Sequence, residues 1–377
     1  MPLGTARRRL SSSAATPIVA SGPIKTIFVL PSFAGGGAER VVLNLAGALD
    51  RVRFAAEIVV LDGHGPLAAS VPSGIPVHDL HHPRLRQAMP ALVAILRRLR
   101  PAAVVPTLGY LNLALLAARP LLPPIRFYPR EANTPSVSID ALPSPALGRL
   151  AYRYLYPRAE GVLCNAQVVA EALARDCGVA PARIHQIDNP VDVDRIRAAA
   201  TPVNRADGAG PRFVAAGRLT RQKGFDRLID LFVTLQPDAH LTILGDGPDR
   251  MALEARAQER GVAARIAFAG FQARPWPFYA GADAFLLPSR WEGMPNAALE
   301  ALACGTHVIA TPESGGIGEV AAEAAPGAVT VAPWDKEFAA ALRAVRAKAT
   351  ETPRASLLPE RFTLARATES LARILAS

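Results

Sequence analysis

Cysteine, aromatic residues and long apolar runs are all scarce in this chain, and each scarcity argues against a class of explanation. Its three cysteines, Cys164, Cys177 and Cys304, are odd in number, scattered and at no metal-ligand spacing. That pattern speaks for reduced, packed thiols in a cytoplasmic protein rather than a disulfide scaffold or a zinc site. The seven histidines show no ligand spacing on a single helix either, so no metal is expected. With aromatics at 6%, the basic residues have few stacking platforms between them, which disfavours a nucleic-acid module. The one uncharged apolar run near membrane-spanning length, residues 101–118, contains Pro106, Gly109 and Asn112 and is bordered by Arg100 and Arg119. A buried strand followed by a buried helix accounts for it, so the chain is expected to be soluble or to lie on a membrane rather than cross one. No long apolar stretch follows Arg7-Arg8-Arg9, and residues 1–22 read as a tail rather than a secretory signal.

What the chain does have is length, apolar material and an uneven charge. Its 377 residues, 50% hydrophobic and 20% charged, suit two globular domains of about 150 to 200 residues each. The net charge of +10 lies wholly in residues 1–205, which carry 23 Lys/Arg against 13 Asp/Glu; residues 206–377 carry 19 of each. A positive half-molecule attracts a phosphorylated substrate, an acidic lipid surface or nucleic acid. An arginine-rich composition in which arginine merely replaces lysine is the plainer reading. Residues 81–100 (HHPRLRQAMPALVAILRRLR) mix Leu85, Leu92, Ile95 and Leu96 with five arginines. Such a segment either rests on an anionic bilayer or forms an ordinary surface helix, and both readings stay open.

Two regions open alike, with an apolar strand, a glycine-containing turn and a helix. The first is IKTIFVLP at 24–31, then Gly35-Gly36-Gly37 and an amphipathic run to Leu49; the second is RFVAA at 212–216, a turn at 217–224 and a run to Leu235. Strand-rich runs then alternate with helical ones, at 56–61, 103–106, 126–129 and 161–164 and again at 241–244, 266–269, 284–287 and 307–310. Alternation with short connections implies parallel sheets covered by helices, and two consecutive sets imply an α/β protein of two Rossmann-like domains. The expected division is a tail at 1–22, a first domain at 23–200, a second at 201–359, and a final helix at 360–377 that packs against something.

The chemistry concentrates in PSRWEGMPNAALEALACGTHVIAT, residues 288–311. A strand delivers a loop holding Glu292, and Pro295 sits where it can start a helix. The free N–H groups of Asn296 and its neighbours are a natural seat for diphosphate oxygens. Glu300, further along that helix, suits a pair of ribose hydroxyls because a carboxylate accepts two hydrogen bonds at once. A second signal is GRLTRQKG at 217–224, where Arg218 as a fork and Lys223 as a point charge converge on a pyrophosphate. They would stabilise the charge growing on a leaving diphosphate without a metal. The Gly35-Gly36-Gly37 loop lets backbone approach phosphate, although a turn with unusual backbone angles explains it equally well. Asp192-Val193-Asp194 has the form of a metal-binding DxD, yet it precedes a helical run and reads as a helix cap.

GRLTRQKGFDRLI, GDGP, FAGF and the Glu292–Glu300 string, in that order, resemble the donor half of the large retaining glycosyltransferase family four. GGGAERVVLNLA and Arg130-Glu131-Ala132-Asn133 resemble members that build lipid-linked or surface oligosaccharides. The resemblance runs from Ile24 nearly to the end. It implies the GT-B arrangement, with catalysis in the cleft between the domains and a C-terminal helix crossing back to the first. It implies that Arg218 and Lys223 hold the diphosphate, Glu300 the ribose and Glu292 the donor sugar's hydroxyls. Gly293, Met294, Pro295 and Asn296 would line sugar and phosphate, Gly36 and Gly37 the donor from the opposite side, and residues 269–272, with Phe271, the base. Arg218, Lys223 and Glu292 would be the catalytic set. It further implies retention by front-face attack, a UDP-sugar donor, no cofactor or metal, and a polyprenyl diphosphate-linked acceptor met at the cytoplasmic face of an inner membrane. One departure stands out: many members carry a histidine after a first-domain strand, where this chain reads Pro106-Thr107-Leu108-Gly109-Tyr110. Arg130, Glu131 and Asn133 are the acceptor-side candidates in its place.

Two rival functions fit the sequence less well. A nicotinamide-dependent oxidoreductase would use the glycine loop and Asp62, but the loop does not give G-x-G-x-x-G and Arg218, Lys223, Glu292 and Glu300 go unexplained. A non-enzymatic binder of anionic surfaces or nucleic acid draws only on the charge.

Overall fold

The apolar strands are buried on both faces because helices cover both sides of each sheet. The computed structural model describes residues 22–201, 210–347 and 354–377; the expected tail and most of the expected linker lie outside them. In the first domain a parallel sheet runs in the order β3 (Val77–Asp79), β2 (Phe54–Asp62), β1 (Ile24–Ser32), β4 (Ala103–Pro106), β5 (Arg126–Phe127). Ile27 through Leu30 of β1 are wholly buried, as a central parallel strand requires. A second small sheet of β6 (Arg130–Glu131), β7 (Val162–Cys164) and β8 (Ile184–Gln186) continues the first through a bridge between Thr107 and Arg130. The chain shifts partner at Pro129, which has no N–H to donate: Tyr128 N still donates to Val104 O, while Pro129 O accepts from Leu163 N.

The second domain repeats the winding. Its six-stranded parallel sheet has the order β11 (Ile266–Gly270), β10 (His240–Leu244), β9 (Arg212–Ala216), β12 (Ala284–Leu287), β13 (His307–Ala310), β14 (Val329–Val331). In each domain the strand order reverses between the first and fourth strands. A ligand crevice belongs at the carboxyl ends of those two strands. The loops after β9 and β12 are residues 217–224 and 288–295, the two segments with the strongest chemical signal.

The final helix, Leu364–Ala376, leaves the second domain and buries Ala367, Leu371 and Leu375 among Phe28, Val42 and Val105 of the first. Arg126 Nη2 donates to Leu375 O at 2.8 Å, and Val191 pairs with Thr363 where the chain recrosses. Each buried leucine there contributes roughly 1.5–3 kcal/mol, so the two domains share one core at this seam. Asp192 caps the short helix Val193–Ala198 by accepting from Arg195 N at 3.1 Å. The three cysteines are buried and free, their thiols pushed up to about 12 by burial.

The helix Leu85–Leu99 settles the reading left open for the basic segment. Ala88, Leu92 and Leu96 are wholly buried in the first domain's core, so its apolar side faces inward, while Arg86, Gln87, Pro90, Ala94, Arg97 and Arg98 face out. It is an ordinary surface helix. No helix among the described residues is long and apolar enough to cross a membrane.

Candidate active site

The basic turn and the acidic loop are sewn together before any ligand is considered. Arg290 N donates to Gln222 O at 2.8 Å, and Gln222 Nε2 to Trp291 O at 3.0 Å. Arg290 forks onto both oxygens of Asp226 at 2.7 Å. Burial works against the Asp226 charge, but the Arg290 hydrogen bonds outweigh it and hold the carboxyl below its usual range. Arg227 Nη2 donates to Pro288 O at 2.7 Å and to Ser289 O at 2.9 Å. From the far side, Thr311 Oγ1 reaches Ser289 O at 2.8 Å and Gly316 N reaches Gly293 O at 2.7 Å. Of these partners only Gly293 was singled out from sequence; the signal for Gln222, Asp226 and Arg227 is only that they sit inside or just after the basic turn.

Within that frame Lys223 Nζ lies 2.5 Å from Glu292 Oε1, which also accepts from Ser289 Oγ at 2.7 Å. The Glu292 side chain is 7% exposed. Its other oxygen, Oε2, has only Gln222 Nε2 at 3.5 Å, and so retains room to accept a hydrogen bond. Arg218 projects from the same turn; it is exposed and has no partner among the described residues. The site therefore offers one fixed cation, one free guanidinium and one carboxylate oriented by the fixed cation.

The helix Asn296–Ala303 starts at Pro295 with no side-chain cap. Among the described residues no acceptor serves the N–H groups of Gly293, Met294, Asn296 or Ala297, so the start of the helix faces the crevice with free donors and positive dipole. Glu300, one turn on, accepts from Trp276 Nε1 at 3.2 Å and, across the cleft, from Arg40 Nη1 at 3.4 Å. Burial raises its pKa against the pull of Arg40 and Trp276. Arg40 and Trp276 were not foreseen, although Arg40 lies in the GGGAER string.

The first domain presses close to this loop. An added Cβ on Gly293 would lie 2.0 Å from Ala132 O, and one on Gly37 would lie 2.7 Å from Asn296 Nδ2, which donates to Gly37 O at 3.0 Å. Of the glycine loop only Gly35 has a left-handed angle, φ +109°, and its open face lies against the Phe271 ring. Gly36 leaves room for the carboxylate of Glu39. The turn explanation of the loop thus holds at Gly35, through its unusual angle, and the group that comes close at Gly37 is the Asn296 side chain. Phe271 is half exposed on the loop after β11.

The acceptor-side candidates separate. Arg130 is buried and donates Nη2 to Asn189 Oδ1 at 2.8 Å; Asn189 Nδ2 continues to Asn296 Oδ1 at 2.6 Å. Its Nη1 has no partner, and burial lowers its pKa to about 10. Glu131 points the other way, into the first domain, where Tyr152, Tyr156, Asn112 and Ser138 all donate to its carboxylate. Burial raises its pKa despite those bonds, and at 1% exposure it shapes the cleft only through its neighbours. Asn133 is half buried with no side-chain partner among the described residues. At the end of β4, where the histidine is missing, Leu108 takes φ +81° and Tyr110 is the exposed polar side chain. No group of three or more His, Cys, Asp or Glu among the described residues forms a metal-ligand set.

Two family models match the chain: Glycosyltransferase Family 4 over residues 35–195 and Glycosyl transferases group 1 over residues 197–355. A lipopolysaccharide core biosynthesis glycosyltransferase, LpsE of Rhizobium meliloti, is 33% identical over 44% of this chain and 47% of its own length, so the match spans about half of that relative. An N-acetylgalactosaminyltransferase of Campylobacter jejuni, named for its diphospho-undecaprenol-linked substrate, is 26% identical over 77% of this chain and 81% of its own. Among solved structures, HepE of Anabaena in complex with UDP and glucose superimposes with a TM-score of 0.74 at 19% identity, covering 94% of this chain and 99% of that one. At that identity the likeness shows the fold alone.

Proposed function

The chain belongs to glycosyltransferase family four with the GT-B fold, and from that premise we propose a retaining, metal-independent transfer from a UDP-sugar to a polyprenyl diphosphate-linked glycan. The observation that carries the reading is the pairing of Lys223 with Glu292 at 2.5 Å, beside a free Arg218 and an uncapped helix start. A leaving diphosphate needs preorganised positive charge, and these groups supply it in the crevice between the domains. Glu300 takes the ribose hydroxyls in place of Arg40 and Trp276. Glu292 Oε2 accepts from a hydroxyl of the donor sugar, and Phe271 flanks the base.

Transfer then needs no protein nucleophile. The acceptor oxygen bonds to the anomeric carbon on the face from which the diphosphate departs, the carbon–oxygen bond to the diphosphate breaks, and the acceptor's proton passes to the departing phosphate oxygen. Arg130, itself only 2% exposed and with its Nη1 unpartnered beside the Asn189–Asn296 link, is assigned to an acceptor's negative charge. The lipid-linked acceptor draws support from the names of the Campylobacter and Rhizobium relatives, the UDP donor from that of HepE. Incubating the protein in EDTA with UDP- and GDP-sugars and an undecaprenyl diphosphate-linked sugar tests all of this. Transfer from a UDP-sugar, with the donor's anomeric configuration kept in the NMR coupling of the product, is expected; an inverted product, or activity abolished by EDTA, would overturn it.

A further inference from the structure

With the helix Leu85–Leu99 turned inward, the excess charge of the first domain needs another explanation, and the helix Pro145–Leu155 provides one. Gly148 and Tyr152 bury its inner side. On the outer side Leu147, Leu150 and Tyr154 are 64%, 52% and 60% exposed, and their spacing of three and four puts them in one stripe. Three large apolar side chains left this open on a single helix are not the scattered exposure of an ordinary surface. Arg149 and Arg153 flank the stripe on the same outward half, both exposed. The patch continues past the helix end: Arg119 Nη1 donates to Arg158 O at 2.5 Å, and Arg97 Nε donates to the carbonyl of exposed Leu121 at 2.7 Å. Two acids lie at this face, Glu160 paired with Arg119 and Asp140 4.0 Å from Arg149 with both side chains in solvent. The balance of the face is positive.

We propose that this face docks on an anionic lipid surface, with Leu147, Leu150 and Tyr154 entering the headgroup boundary and the arginines meeting lipid phosphates. Leucine and tyrosine beside arginine are the composition of an interfacial helix. The placement suits a lipid-borne substrate. An added Cβ on Gly109, at the cleft end of β4, would lie 1.9 Å from the Tyr152 hydroxyl, so the helix stands directly beside the first domain's side of the cleft. The inference deepens the lipid-linked acceptor reading without depending on catalysis.

The test is co-flotation of the full chain with vesicles of phosphatidylglycerol and phosphatidylcholine, against pure phosphatidylcholine, with light scattering and a UDP melting shift on the same samples. Wild type is expected to float with anionic vesicles and to stay behind with neutral ones. Leu147→Ser/Leu150→Ser/Tyr154→Ser and Arg149→Glu/Arg153→Glu should each lower partitioning about ten-fold or more, while Arg97→Glu/Arg98→Glu lowers it less. All variants should keep the wild-type shift with UDP, which separates this proposal from the transferase reading. Absence of anionic vesicle binding, or binding indifferent to both sets of substitutions, would overturn it. So would a concentration-dependent dimer that the triple variant abolishes without any vesicle binding, since the stripe would then seat a second copy of the chain.

Discussion

Lys223→Ala is expected to lower kcat about 100- to 1,000-fold, the scale set by removing one preorganised donor from a site of developing negative charge. Two losses coincide. The departing diphosphate loses a point cation, and Glu292 loses the 2.5 Å partner that fixes its carboxylate, keeping only Ser289 Oγ on Oε1 and a long contact from Gln222. Lysine to arginine at this position is not conservative, because the guanidinium fork cannot reproduce a single short contact in the same space. The loss should fall on kcat more than on KM, since charge builds on the diphosphate chiefly in the transition state. The ion pair is itself only partly exposed, at 21% and 7% of the two side chains, so a melting curve on the same sample is needed. A kcat within ten-fold of wild type, in a variant that remains folded, would remove Lys223 from the mechanism.

The second large effect belongs to Glu300. Glu300→Gln leaves a single acceptor oxygen and no charge where two ribose hydroxyls are to be bound. Hydrogen bonds to charged groups contribute about 1.5–3 kcal/mol, so UDP affinity should fall roughly 10- to 100-fold. The pH dependence gives a second readout. Burial raises the Glu300 pKa above the usual 4.5, and only the ionised carboxylate can take both hydroxyls. UDP affinity should therefore rise with pH through a midpoint above the ordinary carboxylate range and be lost as pH falls through it. In Glu300→Gln that dependence should disappear. Isothermal titration across that range checks both; equal affinity in the two proteins would move the ribose elsewhere.

Much of this was legible before any coordinate. The two long apolar strands β1 and β9, each followed by glycine and an amphipathic run, carry enough periodicity to mark both domain starts. Lys223 meets Glu292, with Arg218 on the same turn and Glu300 on the helix that follows, because parallel winding brings the ends of β9 and β12 together, a consequence of fold class alone. The short edge strands β3, β8 and β14 escaped notice, since three residues of mixed polarity have no pattern without their pairing partner. The strand read at 126–129 stops at Phe127, and the two-residue strand β6 just beyond Pro129 was not marked. Arg40 and Asn189 escaped for a different reason: they act across the cleft, on Glu300 and Asn296, and such separations in sequence leave no local trace. Residues 81–100 show amphipathicity misleading in one respect. The pattern reports that a helix has an apolar side, and only packing tells whether that side meets the core, as Leu92 and Leu96 do, or solvent, as Leu147 and Leu150 do.

A nucleotide diphosphate seat at β9 and β12 that works without a metal should bind its ligand with every divalent cation chelated. Thermal melting in EDTA, with UDP, GDP, ADP and NAD, for wild type and Glu300→Ala, addresses it most directly. At about 100 times its dissociation constant a ligand adds roughly 2.7 kcal/mol of stability, a clear rise in Tm. That rise is expected with UDP in the presence of chelator, and a much smaller one in the variant. A shift with NAD alone, or none with any nucleotide diphosphate until a divalent cation is restored, would contradict it.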